Sequence, residues 1–177
     1  MLGRTYDKEV CSAARALEIA GERWSLLILR NAAFAGMTRF SEFQKSLDIA
    51  PNVLADRLAH FVEAGLMTTS GDAGGSYQLT KKGLDFKPVI VALTEWGDRW
   101  EAPEGPPIIY EHAGCGGRVR QELVCRRCDQ KVRPPDITAR KTAVLARLQE
   151  RRQAKTRGGR ASGTRAESLE HGRDVAR

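Results

Sequence analysis

Four residues in the second half of the chain have the types and the spacing of metal ligands. Two residues separate His112 from Cys115, nine residues follow, and two residues again separate Cys125 from Cys128. Three thiolates and one imidazole at such spacing can complete a tetrahedral zinc site. The pattern therefore favours one structural Zn²⁺ held by these four side chains.

Two other interpretations of the same segment stay open. Cys125 and Cys128 could close a disulfide and act as a redox pair, or the spacing is accidental in an unligated extension. The segment has few large apolar residues: Val119, Leu123, Val124 and Val132. Because so short a segment could hardly fold on burial alone, we favour the metal.

The charge of the protein is concentrated at one end. The 177 residues carry a net charge of +7, and residues 139–177 hold eleven Lys and Arg against four acids, which equals the whole excess. Net charge alone therefore does not argue that residues 1–138 bind nucleic acid. The basic tail either adds nonspecific, salt-sensitive affinity for phosphate or is a solvated, dispensable extension.

Hydropathy and motif content exclude several classes of protein. No stretch approaches the roughly 18 uninterrupted apolar residues of a membrane span, and Met1–Val10 lacks the apolar run of a secretory signal. We therefore expect a cytoplasmic protein with no membrane partner. No Ser/His/Asp or paired-carboxylate constellation is visible, so we do not expect an enzyme.

The chain divides into three predicted parts. Residues 11–108 form a compact, mostly helical domain, residues 109–134 form the Cys/His segment, and residues 135–177 form the basic tail. Residues 136–154 of the tail have helix-forming composition, whereas the glycines from Gly158 onward predict disorder. No internal repeat is visible in the sequence.

Apolar periodicity predicts the elements of the first part. Helices are expected from about Val10 to Gly21, from Trp24 to near Gly36, from Arg39 to Leu47, and from Pro51 to Glu63. Strands Met67–Ser70 and Ser76–Leu79 form a hairpin. Thr80 caps a last helix with a kink at Pro88. This order predicts a mainly α fold with a small β-hairpin, the winged helix-turn-helix.

The helix that starts at Pro51 has a polar outer face that could read DNA. Asparagine pairs with adenine and arginine with guanine in the major groove, although a polar outer face is also typical of any solvated helix. The predicted base-reading residues are Asn52, Asp56, Arg57 and His60. The predicted phosphate contacts are Arg39, Lys45, Lys81 and Lys82. The wing tip offers no cation, and Asp72 would repel phosphate.

Five short motifs in this order resemble the HxlR family of bacterial transcriptional regulators. They are Cys11–Leu17 with Gly21–Arg30, Thr38–Phe43, Val53–Leu58, Glu63–Leu66 and Tyr77–Gly83, and the resemblance ends at Trp96-Gly97. It covers about residues 11–104. Two departures are Ser12, where the family often has proline, and the Gly-rich, acidic wing tip.

The resemblance implies a homodimer that binds a palindromic operator, with the first and last helices at the dimer interface. The interface residues that it implies are Val10, Leu17, Phe86, Val89, Ile90, Leu93, Trp96 and Trp100. The apolar stripe from Phe86 to Trp100 agrees with this, because it is longer than one small domain needs. Packing within one chain is the other explanation of the stripe.

Cys11 matches a cysteine that serves as a thiol sensor in several members of the family. Lys8 and Arg15 nearby would favour the thiolate, whereas Glu9 would oppose it. Burial of Cys11 at the dimer interface is the interpretation that we favour over the sensor.

The sequence as a whole favours a DNA-binding transcriptional regulator. We expect a repressor that acts as a homodimer on double-stranded operator DNA, with a response to thiol-reactive or small-molecule signals. The alternative is a zinc-stabilised protein-interaction adaptor on the same scaffold, which the acidic wing and the neutral folded part would fit.

Overall fold

The computed structural model describes residue 6, residues 9–71 and residues 75–163, with the side chains of residue 152 and residues 155–163 left out. The wing tip with Asp72, the lysine at position 8 and the tail beyond Gly163 lie outside the described residues. The chain forms two compact units. One unit is Arg15–Ile137, and the other combines Met1–Ala14 with Thr138–Arg177.

The first unit has the predicted winged helix-turn-helix fold, mostly helical with one small hairpin. Its elements are α1 Ser12–Ala20, α2 Ser25–Phe34, α3 Phe40–Leu47, α4 Pro51–Glu63, β1 Met67–Ser70, β2 Ser76–Leu79, α5 Lys81–Leu84 and α6 Lys87–Trp100. The first three residues of α1 are assigned to the other unit. No helix in the described part of the chain is long and apolar enough to cross a membrane.

Helix α4 forms where its apolar spacing places it. Pro51 occupies the first turn, where its missing N–H costs no hydrogen bond. Leu54, Leu58 and Phe61 recur on one side of the helix and are fully buried. Together with Phe43 of α3, they form the centre of the core. Burial of these side chains fixes the rotation of α4 and therefore decides which face points to solvent.

The hairpin is joined to the start of α3. Strands β1 and β2 pair antiparallel with Met67 opposite Leu79. The N–H of Tyr77 also donates to the carbonyl of Thr38 at 2.7 Å, and Arg39 forms an isolated β-bridge with Ser76. The segment before α3 thus extends the hairpin by one short pairing, which ties the wing to the helix-turn-helix.

The prediction of a single helix after Thr80 is wrong, because the structure has two helices there, α5 and α6. Thr80 caps α5 as predicted, since its Oγ1 accepts from the N–H of Gly83 at 3.2 Å. Helix α5 ends at Leu84, and Pro88 stands in the first turn of α6. Proline lacks an N–H and its ring clashes with the carbonyl four residues earlier, here Leu84. The chain therefore breaks before Pro88 instead of kinking at it.

The second unit contains α7, Ala143–Gly163. The helix continues to Gly163, past the first glycines at which the sequence predicts disorder. Extending an existing helix costs far less than nucleating one, and the Ala, Arg, Gln and Lys residues before it are strong helix formers. Helix α7 begins at Ala143, so Ile137 precedes it.

Candidate nucleic-acid interface

The outward face of α4 is the candidate reading surface. Asn52 and Asp56 are exposed on it, as are Ala55, Ala59 and Glu63. Within α4, which is fully described, this face carries two carboxylates and no cation. Helix α4 itself therefore presents no exposed cation to DNA.

Arg57 lies at the flank of this face. Its side chain is only 17% exposed, and its Nη1 lies 3.9 Å from Oε1 of Glu22. Position 57 follows Leu54 by three residues, which places it beside the buried stripe of the helix. Arg57 therefore joins α4 to the segment before α2.

His60 also lies at the flank of this face. It is partly buried, and its Nε2 atom is inaccessible and has no hydrogen-bond partner among the described residues. Position 60 directly precedes the buried Phe61, and the two rings lie 6.4 Å apart. In this conformation His60 cannot present its Nε2 atom to a base, because that atom is buried.

The carboxylate of Glu42, which the sequence analysis did not single out, caps the start of α3. Oε2 of Glu42 accepts hydrogen bonds from the N–H groups of Thr38 at 2.8 Å and Arg39 at 2.9 Å. The N–H of Arg39, followed by that of Thr38, holds the pKa of Glu42 below its usual value. An acid three residues into a helix is half of a capping box, which could have revealed it. Phosphate would find these two N–H groups already engaged.

The predicted phosphate contacts are exposed, and two of them have partners within the chain. Arg39 and Lys45 are exposed on and beside α3. Lys81 forms an ion pair with Asp85 at 3.0 Å, and Nζ of Lys82 donates to the carbonyl of Ala64, just after α4, at 2.6 Å. The Lys81 side chain is 88% exposed, so exchanging its carboxylate for a phosphate would cost little.

Helix α6 exposes a continuous apolar stripe. The exposed fractions are 48% for Val89, 49% for Leu93, 58% for Trp96 and 66% for Trp100. The spacing of four, three and four residues places all of them on one side of the helix. Leu17 of α1 is exposed as well.

Two residues implied for the dimer interface are instead part of their own chain's core. Ile90 is only 4% exposed, and Phe86 packs against the core cluster. The prediction for Ile90 is wrong, because a side chain that is already buried offers no surface to a partner. Val10 is partly buried and precedes α1.

Cys11 is an exposed free thiol in the single chain. Helix α1 begins at the next residue. The favoured burial of Cys11 would therefore have to come from a partner.

The Cys/His segment consists of two hairpins with the same backbone geometry, thirteen residues apart. The N–H of His112 donates to the carbonyl of Gly117 at 2.8 Å, and that of Cys125 donates to the carbonyl of Gln130 at 2.9 Å. We name the hairpins K1, residues 110–119, and K2, residues 123–132. The expectation of no internal repeat is therefore wrong at the level of structure.

The residues after the second ligands show the same equivalence. Gly116 in K1 and Asp129 in K2 both have positive φ, 67° and 54°. Their N–H groups donate to the carbonyls of His112 and Cys125 at 2.8 and 2.9 Å. The repeat is not visible in the sequence, because Gly and Asp differ in residue type although both tolerate the same left-handed backbone.

The four predicted metal ligands form two pairs. Nδ1 of His112 lies 3.3 Å from Sγ of Cys115. Backbone N–H groups of Arg127 and then Cys128, followed by the Cys128 side chain, lower the pKa of Cys125. Among the described residues, no three His, Cys, Asp or Glu side chains are gathered closely enough to hold a metal ion.

K1 packs on α6 within the first unit. Nη2 of Arg118 donates to Asp98 at 3.2 Å, and the N–H of Gln121, just after K1, donates to Glu95 at 3.1 Å. The ring of Tyr110 lies 4.2 Å from that of Phe34. A largely apolar cavity of about 290 Å³ lies beside these rings.

Comparison with known proteins agrees with this fold. Residues 19–105 match the family described as HxlR-like helix-turn-helix. HTH-type transcriptional regulators of Mycobacterium bovis and Mycobacterium tuberculosis are each 40% identical over 132 residues, which is 72% of this chain and 83% of theirs. The family match begins at residue 19, so at most 18 residues of the two mycobacterial matches can precede it. The rest of their length must extend past residue 105 into the Cys/His segment.

Two solved structures share the architecture. The candidate transcription factor PA1607 superimposes with a TM-score of 0.69 at 34% identity, over 77% of this chain and 99% of its own. The candidate transcription factor PA1374 from Pseudomonas aeruginosa gives 0.54 at 38% identity, over 75% of this chain and 93% of its own. The chain belongs to the HxlR family of helix-turn-helix transcriptional regulators.

Proposed function

We propose that this regulator is a homodimeric repressor that reads a palindromic operator through the outward face of α4. The observation that carries the proposal is the exposure of Asn52 and Asp56 on a helix whose opposite side is locked into the core. An asparagine can pair with adenine N6 and N7, and a carboxylate accepts from cytosine N4. The methyl groups of Ala55 and Ala59 can contact thymine methyls.

Cations outside α4 supply the phosphate contacts in this proposal. Arg39, Lys45, Lys81 and Lys82 are exposed around the helix-turn-helix and the wing. Phosphate contacts fix the register of the protein on the duplex without reading its sequence. Arg57 is not counted among these contacts, because it is paired with Glu22 at 3.9 Å in the free protein.

The apolar stripe of α6 supports a second copy of this chain as its partner. Val89, Leu93, Trp96 and Trp100 present a surface that would be unfavourable to leave in water. A two-fold dimer places two identical reading helices on two half-sites, which makes the operator palindromic. A dimer bound across such a site blocks polymerase, so repression is the output that we propose.

A response to thiol-reactive signals is part of the proposal through Cys11. Its thiol is exposed in the single chain, and the sensor role requires that it stay accessible to small electrophiles in the dimer. Diamide should release DNA from the wild-type protein and leave the Cys11→Ser variant bound. Equal release from both would remove Cys11 from the mechanism.

Footprinting on the intergenic DNA upstream of the protein's own gene tests the reading surface. At about 150 mM salt, where nonspecific contacts are weak, we expect a protected palindrome. Asn52→Ala should weaken protection by about 5- to 100-fold, the effect of losing one bidentate base contact. Glu63→Ala, at the far end of the same face, is the matched control and should retain the footprint.

The alternative, a protein-interaction adaptor, predicts a different footprint. Uniform, salt-labile protection that Asn52→Ala does not change would show that cations alone hold the DNA. Removing residues 136–177 would then abolish this binding, because eleven cations lie in that tail. That combination would contradict the operator-reading proposal.

A further inference from the structure

K1 and K2 present their metal-binding side chains at equivalent positions. His112 corresponds to Cys125, and Cys115 corresponds to Cys128, because the hydrogen bonds and positive φ angles recur thirteen residues apart. Each turn therefore delivers two donor atoms to one side of a tight hairpin. Two such turns together supply four donors, which is the number that tetrahedral zinc requires.

The backbone of K2 closes the same turn as that of K1, because the N–H of Asp129 donates to the carbonyl of Cys125 at 2.9 Å. In K1 the approach of Nδ1 of His112 to Sγ of Cys115 at 3.3 Å shows that both donors face the same space.

The hairpins lack an apolar core of their own. From residue 111 to residue 131, every residue except Cys125 is exposed. Burial of apolar surface within the hairpins therefore contributes little to their shapes, and a metal cross-link between them would stabilise both. No disulfide is formed, since all four cysteines of the chain are free thiols.

We propose that the two pairs, His112 with Cys115 and Cys125 with Cys128, bind one Zn²⁺ per chain and close K1 and K2 on each other. The chain from Val119 to Leu123 spans at most about 14 Å, so the hairpins cannot move far apart. Three thiolates and one imidazole select zinc over the hard cations Mg²⁺ and Ca²⁺. The two pairs of ligands are separate in the described structure, so binding of one Zn²⁺ by all four requires K1 and K2 to move towards each other.

Metal content of the purified full-length protein tests this inference without any DNA. Protein made with zinc in the medium should contain about one Zn²⁺ per chain by inductively coupled plasma spectrometry. Single variants at each of the four ligands, with serine for cysteine and alanine for histidine, should weaken zinc binding by more than about 100-fold, because even outer-shell changes cost 10- to 100-fold. Cys11→Ser is the matched control and should keep its zinc.

A second measurement tests the geometry directly. Replacement of zinc by Co²⁺ should give the intense visible absorption of a tetrahedral site with thiolate ligands, and His112→Ala should alter that spectrum. Chelation should speed trypsin cleavage at Arg126 and Arg127 within K2. The α-helical circular dichroism should not change, because α1–α6 have a separate core.

Three outcomes would overturn the inference. One is less than about half an equivalent of zinc in the wild-type protein. Another is loss of zinc only in the Cys125 and Cys128 variants, which would leave His112 and Cys115 without a role. The third is a wild-type protein whose Cys125 and Cys128 react with a thiol reagent only after reduction, which would identify a disulfide instead.

Discussion

Nη1 of Arg57 lies 3.9 Å from Oε1 of Glu22, so the one arginine of the recognition helix α4 faces a carboxylate of its own chain. The Arg57 side chain is 17% exposed and that of Glu22 is 54% exposed. The positive charge that a DNA-binding helix would place against phosphate is therefore partly offset before DNA arrives. In the proposed complex with DNA, Glu22 would compete with the phosphate backbone for Arg57.

Neutralising Glu22 should strengthen DNA binding. Glu22→Gln removes an anion beside the proposed interface and releases Arg57, and we expect affinity to rise by about 1.4- to 5-fold, since exposed pairs are worth about 0.2–1 kcal/mol. Fluorescence anisotropy with operator DNA measures it. Glu104→Gln, a remote exposed acid, controls for net charge, and an equal rise in that variant would contradict the role of Glu22.

The Glu42 cap should make the stability of α3 pH-dependent. N–H donors of Arg39 and Thr38 lower the pKa of Glu42 in the folded state. A lowered folded-state pKa contributes stability that is present above the unfolded value of 4.5 and is lost as pH falls through the folded value. Glu42→Gln should therefore lower Tm at pH 7. The difference from wild type should shrink as the pH falls below 4.5, and a difference that grows there would refute the cap.

Truncating the α6 stripe should give monomers. Because Leu93 and Trp96 are exposed in the single chain, changing both to alanine should spare the fold. If they anchor the dimer at about 2 kcal/mol each or more, dissociation should become easier by well over 30-fold. Sedimentation velocity measures the species present. Leu123→Ala, which is as exposed as Leu93, should leave the dimer intact, and a dimer unaffected by the double variant would exclude this face.

Gly83 should not tolerate even one methyl group. A Cβ at this position would clash with the carbonyl oxygen of Leu66 and would lie 2.8 Å from Cδ2 of Leu79. Alanine would gain at most about 1 kcal/mol in helix propensity, whereas overpacking costs about 1–3 kcal/mol. Gly83→Ala should therefore lower the free energy of unfolding in urea. Lys81→Ala in the same helix should change it by less than about 0.5 kcal/mol, and a stabilised Gly83→Ala variant would contradict the close packing.

The sequence predicted the elements whose signals are local. The buried residues Leu54, Leu58 and Phe61 recur at helical spacing, so the position and rotation of α4 could be derived without coordinates. Thr80 was found as a cap because capping depends on residue type within one turn. The hairpin bounds Met67–Ser70 and Ser76–Leu79 followed from the glycine-rich stretch between two short runs.

Relationships between distant residues could not be derived in this way. Helical spacing places Arg57 at an angle on α4 but does not say that Glu22, 35 residues earlier, lies beside it. The burial of Nε2 of His60 depends on neighbours from other elements. The likeness of K1 and K2 lies in backbone angles at Gly116 and Asp129, and unlike side chains conceal such a likeness.

The outer face of α4 joins two small, exposed alanines, Ala55 and Ala59, to the polar residues Asn52 and Asp56. None of these four side chains belongs to the core, and the exposed cations lie on neighbouring elements. Substitutions at these positions could therefore change which bases are preferred while leaving folding and the salt-dependent grip on phosphate nearly constant. With α4 as the proposed reading helix, this arrangement would separate the evolution of operator choice from that of affinity, and paralogues could acquire new binding sites by changes on a single helix face.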